Sequence, residues 1–243
     1  MGAAPHSATR RDWLKAVSAF GVSTLAPGVT LYAYGTAEKA KAGPRWGMLI
    51  DASRCVEGCN ACVTACNTEN GLTPSARPDA TAQWIRKVSL ADPATGRKRD
   101  VPVMCQHCSN PPCVDVCPTG ASFKRDDGIV LVDKHICIGC RYCMMACPYE
   151  ARSFVHEDHS DQNPDAPRGK GTVESCTMCV RRVDAGQIPA CVEACKGKSD
   201  GAMMFGDLND PTSAISKRIA ELSTVQLRAG LQTDPGIRYH DVI

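Results

Sequence analysis

Aromatic side chains are scarce in this sequence: phenylalanine, tryptophan and tyrosine together make up 5% of 243 residues. The large rings that dominate most hydrophobic cores are therefore in short supply. A surplus of either charge is also missing, since 28 Lys and Arg stand against 26 Asp and Glu. With both signs interspersed, nothing points to nucleic acid or an anionic membrane surface as a partner. No Ser/His/Asp set, paired acids, P-loop or dinucleotide fingerprint occurs, which leaves no residues for a substrate site. Beyond the first 35 residues no segment is long and apolar enough to cross a membrane.

Cysteine is what the chain has in excess: 16 residues, far above ordinary usage. A chain poor in rings and rich in cysteine is held together by disulfides, zinc or clusters rather than by apolar burial alone. The cysteines fall into four groups of four with none left over. These are Cys55, Cys59, Cys62 and Cys66; Cys105, Cys108, Cys113 and Cys117; Cys137, Cys140, Cys143 and Cys147; and Cys176, Cys179, Cys191 and Cys195.

The third group is the most specific, because Cys137-x2-Cys140-x2-Cys143-x3-Cys147-Pro148 is the bacterial ferredoxin run. Three thiolates two residues apart wrap three corners of a cubane, and the fourth, after a helical turn, ligates the other cluster of the pair. Pro148 stops that turn, and Gly139 lets the loop backbone come close to the cluster. The second group, Cys105-x2-Cys108-x4-Cys113-x3-Cys117-Pro118, is the same device with a longer loop. Between the two, Ala121 to Asp133 reads as a β-hairpin turning at Asp126-Asp-Gly128. Two such runs joined by a hairpin predict a two-cluster ferredoxin unit over residues 101–151.

The outer groups are looser. Cys55-x3-Cys59-x2-Cys62-x3-Cys66 has an extra residue in its first gap and Asn67 in place of proline. Cys176-x2-Cys179-x11-Cys191-x3-Cys195 has a long insert and Lys196 there. They are expected to form a second two-cluster unit with each other, so that the chain closes on itself. Four-thiolate zinc competes, but zinc takes two Cys-x2-Cys knuckles across a longer loop, whereas triplets with a fourth Cys three residues on suit a cubane. Repeated Cys-x2-Cys pairs are likewise unusual in a disulfide framework.

The first 35 residues read as a targeting segment. Arg10 and Arg11 precede an uncharged, mildly apolar stretch from Ala16 to Gly35, which resembles a twin-arginine export signal. A membrane span is the alternative, made poor by Gly21, Pro27 and Gly28. That export route carries proteins already folded around their cofactors, which agrees with clusters in an exported chain.

The sequence is similar to the four-cluster ferredoxin-like subunits of membrane-associated oxidoreductases. The similarity runs from residue 45 to about 210. It rests on Arg45-Trp-Gly-Met-Leu-Ile-Asp51, Cys105-Gln-His-Cys-Ser-Asn-Pro-Pro-Cys113, Cys117-Pro-Thr-Gly-Ala121 and Cys137 to Tyr149. Cys176-Thr-Met-Cys-Val-Arg-Arg-Val-Asp-Ala-Gly186 and Phe205-Gly-Asp-Leu-Asn-Asp-Pro211 complete it. The resemblance implies that Cys55, Cys59 and Cys62 act with Cys195, and Cys176, Cys179 and Cys191 with Cys66. It likewise groups Cys105, Cys108 and Cys113 with Cys147, and Cys137, Cys140 and Cys143 with Cys117. It implies four [4Fe–4S] clusters and a non-catalytic relay of single electrons. The relay would run between an integral-membrane quinone-reactive subunit and another redox subunit (cytochrome or catalytic subunit). The leader and the Trp-Gly-Met opening most resemble the periplasmic iron–sulfur subunits of sulfite-reductase-associated transmembrane complexes. Subunits of polysulfide, tetrathionate or nitrite reductase complexes are the alternative, and a structural zinc scaffold is the alternative from another class.

The expected fold is α+β: two pseudo-symmetric two-cluster ferredoxin-like units, outer groups one and four and inner groups two and three, built from short strands and helical turns. The expected division is a leader and linker over 1–44, a four-cluster domain over 45–210, and a C-terminal helix and extension over 211–243. Location on the periplasmic side of the cytoplasmic membrane follows from the leader. His107 is expected to pack rather than ligate, and residues 157–172, with His159, to form a surface loop. Arg181, Arg182 and Lys196 are expected near the fourth group, and Met144, Met145, Met203 and Met204 in the core. Asp210 to Leu222 reads as an amphipathic helix with Asp210 as N-cap and Pro211 at its first position.

Overall fold

A computed structural model describes the backbone of residues 22–26 and 29–32, and residues 43–73, 80–160, 162–164, 166–198 and 201–242. Contacts divide the chain into two units, Met1–Ala42 and Gly43–Ile243. In the first, β1 (Val22–Ala26) and β2 (Val29–Tyr32) pair antiparallel. Arg10, Arg11 and most of the expected leader lie outside the described residues.

The second unit opens with β3 (Trp46–Asp51), followed by α1 (Ala61–Glu69) and the hairpin of β4 (Ile85–Ala91) with β5 (Lys98–Met104). Next come α2 (Pro112–Asp115), the hairpin of β6 (Ser122–Lys124) with β7 (Val130–Val132), and α3 (Tyr142–Ala146). A third hairpin, β8 (Arg152–Phe154) with β9 (Val173–Ser175), leads to α4 (Val180–Asp184), α5 (Ala190–Lys196) and β10 (Met203–Asp207). The chain finishes with α6 (Ala214–Glu221), β11 (Thr224–Val225) and β12 (Ile237–His240). Short helices and strands are mixed along this unit. Among the described residues no helix is long and apolar enough to cross a membrane.

One four-stranded sheet gathers the two ends of this unit, in the order β10-β3-β12-β11. Here β12 runs parallel to β3, and the other two pairings are antiparallel. A central strand covered on both faces needs an unbroken apolar run, and every residue of β3 after Trp46 is buried. Gly47 is required at this seam: a Cβ there would lie 2.5 Å from the Gly236 carbonyl oxygen and collide with Leu208. The C-terminal stretch is thus woven into the core, with Ile237 and Tyr239 fully buried.

The hairpin expected over Ala121–Asp133 forms as β6 and β7. Its turn is closed by Gly128 N–H donating to the Arg125 carbonyl at 3.0 Å, with Gly128 at φ +85°. The C-terminal helix starts later than expected. Asp210 accepts from the Thr212 N–H at 2.8 Å within a preceding turn, and the cap is Ser213, whose hydroxyl accepts from the Ser216 N–H at 3.2 Å. Its buried Ile215 faces β10 at Gly206, where a Cβ would come 2.7 Å from Ile215 Cγ2. Of the four methionines expected inside, Met203 is buried but Met145 is 74% exposed. The expected surface loop is also partly folded in, because Arg168 is buried by its ion pair with Glu174.

The core shows what replaces aromatic rings. Met48, Ile50, Trp84, Met203, Ile237 and Tyr239 share one buried cluster with Cys62, Cys66, Cys105, Cys108, Cys176, Cys191 and Cys195. α1 packs on α5, and α2 on α3. The helical turns of the outer groups therefore meet each other, and so do those of the inner groups.

Candidate metal centre

All sixteen cysteines are free, so no disulfide joins any of them. Each Cys run divides its thiols between a loop and a short helix. In the third run, Gly139 (φ +68°) and Arg141 (φ +66°) bend the loop back on itself before α3 begins. Gly139 meets the Gly171 carbonyl so closely that a Cβ would collide with it. The glycine expected to let backbone approach a cluster thus also seats the loop on the neighbouring hairpin.

The thiols gather across groups. Cys55, Cys59 and Cys62 line a small cavity together with Cys195, walled by Ile50, Pro102 and Met203. Cys137, Cys140 and Cys143 line another with Cys117, walled by Ala121, Val132 and Val173. Cys147 stands close enough to Cys105, Cys108 and Cys113 for its charge to raise the pKa of each. Cys66 is raised in the same way by Cys176 and Cys179, and Cys191 by Cys66 and Cys179. Electrostatic coupling of the same kind reaches between the sets: from Cys62 to Cys191, from Cys105 to Cys176, and from Cys113 to Cys143. The four sets therefore form a row, with the first-group cavity at one end and the third-group cavity at the other.

Burial dominates the chemistry of these thiols. It pushes Cys62 and Cys108 up to about 11 and Cys105 up to about 12, and Cys66, Cys176 and Cys191 rise strongly. Such thiols stay protonated unless a metal replaces the proton, since coordination deprotonates a thiol outright. The sulfurs of the first-group and third-group sets ring a cavity rather than a point. Among the described residues no three His, Cys, Asp or Glu side chains converge on a single-ion site, whereas tetrahedral zinc draws its sulfurs to about 2.3 Å from one centre. Soft donors around an apolar cavity fit a polynuclear iron–sulfur group.

Comparison with known proteins agrees with this geometry. The family described as "4Fe-4S dicluster domain" matches residues 99–208. The "Hdr-like menaquinol oxidoreductase iron-sulfur subunit 1" of Archaeoglobus fulgidus is 43% identical over 229 residues, covering 83% of this chain and 85% of that one. The chain belongs to this 4Fe–4S iron–sulfur subunit family. The "Protein NrfC homolog" of Haemophilus influenzae is 37% identical over 92% of both chains. One of the subunits of the tetrathionate reductase of Salmonella typhimurium is 42% identical over 71% of this chain and 62% of its own length. As a member of this iron–sulfur family, the chain carries multiple [4Fe–4S] clusters and serves electron transfer.

Around the thiols stand donors that motif reading does not find. Lys87 Nζ donates to Cys55 Sγ at 3.2 Å, and Arg152 Nη2 to Cys113 Sγ at 3.1 Å. Asn70 Nδ2 lies 3.7 Å from Cys66 Sγ, and the backbone N–H groups of Ser122 and Met178 reach Cys117 and Cys176 at 3.3 and 3.4 Å. Asn70 had a signal, being one helical turn beyond Cys66; Lys87 and Arg152 come from strands with no motif of their own. The C-terminal tail joins in as well. Ser109 and Asn110 N–H groups donate to the Asp234 and Thr233 carbonyls at 2.9 and 3.1 Å, and Thr233 faces Cys108. His107 is buried and packs, as expected. Its Nδ1 accepts from the Val130 N–H at 3.0 Å, and burial followed by the charges of Arg45 and Arg152 holds it neutral, near pKa 3. Near the fourth group, Arg182 joins α1 to α5 by pairing with Glu69 at 3.1 Å and with Glu193.

Proposed function

We propose that the chain relays single electrons through four [4Fe–4S] clusters held in the row its thiols define. Cys55, Cys59 and Cys62 with Cys195 would hold the first, and Cys176, Cys179 and Cys191 with Cys66 the second. Cys105, Cys108 and Cys113 with Cys147 would hold the third, and Cys137, Cys140 and Cys143 with Cys117 the fourth. When bound, each cluster supplies one-electron redox chemistry. The chain's part is to space the sets, exclude water with apolar walls and direct N–H donors at the sulfurs, a lever on potential. On this reading the fold consists of two pseudo-symmetric ferredoxin-like units over residues 45–210, and the packing of α1 on α5 and of α2 on α3 is what supports it. The observation that carries the proposal is the row itself, in which Cys176 lies within electrostatic reach of Cys105 between the outer and inner pairs.

The protein would have no substrate chemistry of its own. It would pass electrons between an integral-membrane quinone-reactive subunit and a cytochrome or catalytic subunit. Relatives named as menaquinol oxidoreductase and tetrathionate reductase subunits support that placement. The Arg10-Arg11 leader supports export by the twin-arginine route to the periplasmic face and a role in sulfur-compound metabolism. Iron and acid-labile sulfide on anaerobically purified chain test the proposal. About 16 of each per chain are expected from four cubanes, and stoichiometric zinc without sulfide would overturn it.

A further inference from the structure

Arg152 is the first residue of β8 and is only 6% exposed. It lines the cavity ringed by Cys117, Cys137, Cys140 and Cys143, while its Nη2 donates to Cys113 of the adjoining set. The same Nη2 donates to Ser122 Oγ at 2.8 Å, and the Ser122 N–H in turn donates to Cys117 Sγ. Its Nε and Nη1 are buried and have no hydrogen-bond partner. No carboxylate pairs with it among the described residues; the groups within its electrostatic reach are the thiols of Cys113, Cys105 and Cys143. A guanidinium is not deprotonated in proteins, so it keeps its charge in this buried position.

A buried cation without a counter-ion is unfavourable, and two buried unsatisfied donors add to the cost. The geometry is accounted for if the missing partners are the anionic groups on either side of the guanidinium. We propose that Arg152 is a single cation shared by the two inner clusters, and that it raises the reduction potential of both. The proposal rests on the ligand sets given above. A fixed cation favours whichever state of its neighbour carries more negative charge. Only arginine has a planar fork with donors to spare on both sides. Ser122 fixes the orientation of that fork.

The test is a potentiometric titration followed by electron paramagnetic resonance on the full chain, comparing wild type with Arg152→Gln. Iron and sulfide content should stay at the wild-type level. At a fixed potential, the reduced-to-oxidised ratio of two clusters should fall at least tenfold, which is 59 mV for a one-electron couple, while the other two stay unmoved. Four unmoved potentials, or a shift in one cluster only, would overturn the shared cation. If Arg152→Gln does not assemble, Arg152→Lys decides: a point charge on a narrower head cannot serve both sides, so at least one inner cluster should shift tenfold. Two unmoved inner clusters in that variant would overturn the proposal. Wild-type chain without iron or sulfide would instead sink the four-cluster reading.

Discussion

Arg168 and Glu174 are joined by two hydrogen bonds, of 2.8 and 3.1 Å, and the Glu174 side chain has no exposed surface. Glu174 precedes Ser175, the register partner of Arg152, and Cys176 follows directly. The ion pair thus locks the hairpin that presents Arg152 on one side and starts the fourth Cys run on the other.

Removing one partner of a buried pair leaves the other charge uncompensated, at a cost of about 3–5 kcal/mol. Glu174→Gln is therefore expected to lower the midpoint for thermal loss of visible cluster absorbance clearly below that of wild type. Replacing both residues with apolar ones should recover much of the difference. Equal midpoints for wild type and Glu174→Gln would show that the pair does not hold the hairpin.

Gly139→Ala faces two obstacles, a collision with the Gly171 carbonyl and a φ of +68°. The left-handed conformation alone costs about 1–2 kcal/mol in a non-glycine residue. The expected result is loss of the third-group cluster, with iron falling by about four per chain. Full iron content would place the loop's tolerance above what this contact allows.

Exchange of the fourth ligands between groups is tested by Cys195→Ser and Cys66→Ser. Cys195 lines the first-group cavity, so its substitution should perturb the paramagnetic signal of that centre. Cys66→Ser should act on the centre of Cys176, Cys179 and Cys191. Identical spectral changes in the two variants would reject the crossed assignment.

Lys87 touches the first-group set alone, through Cys55 at 3.2 Å. Lys87→Met should lower the reduced-to-oxidised ratio of one outer cluster at fixed potential, read in the same titration, and leave both inner clusters where they are. A shift in the inner pair would mean that its charge acts beyond that set.

Stripping iron with a chelator under reducing conditions should unfold the second unit, because seven of its core cysteines share one buried cluster with the main apolar residues. Metal binding free energy is folding free energy in such domains. Loss of near-ultraviolet circular dichroism together with visible absorbance is the expected sign. Retained ellipticity in the apo-protein would show that apolar packing suffices.

Spacing alone determined the four Cys groups, the inner pairing and the hairpin at Asp126-Asp-Gly128, because loop geometry around a cubane and a tight turn are properties of consecutive residues. The late start of α6 was not legible: Asp210 and Ser213 are both good caps, and the choice fell to the turn that Asp210 closes with Thr212. Nor was the burial of Arg168, whose partner Glu174 reads as an ordinary strand residue until the hairpin folds. Only the tertiary structure decided that β12 enters the sheet beside β3, that the C-terminal tail lies on the second Cys loop, and that Lys87 and Arg152 reach sulfurs 32 and 39 residues away in sequence. Ligand loops are local, but the cations that set their electrostatics arrive from distant strands, and no spacing rule joins residues that only folding brings together.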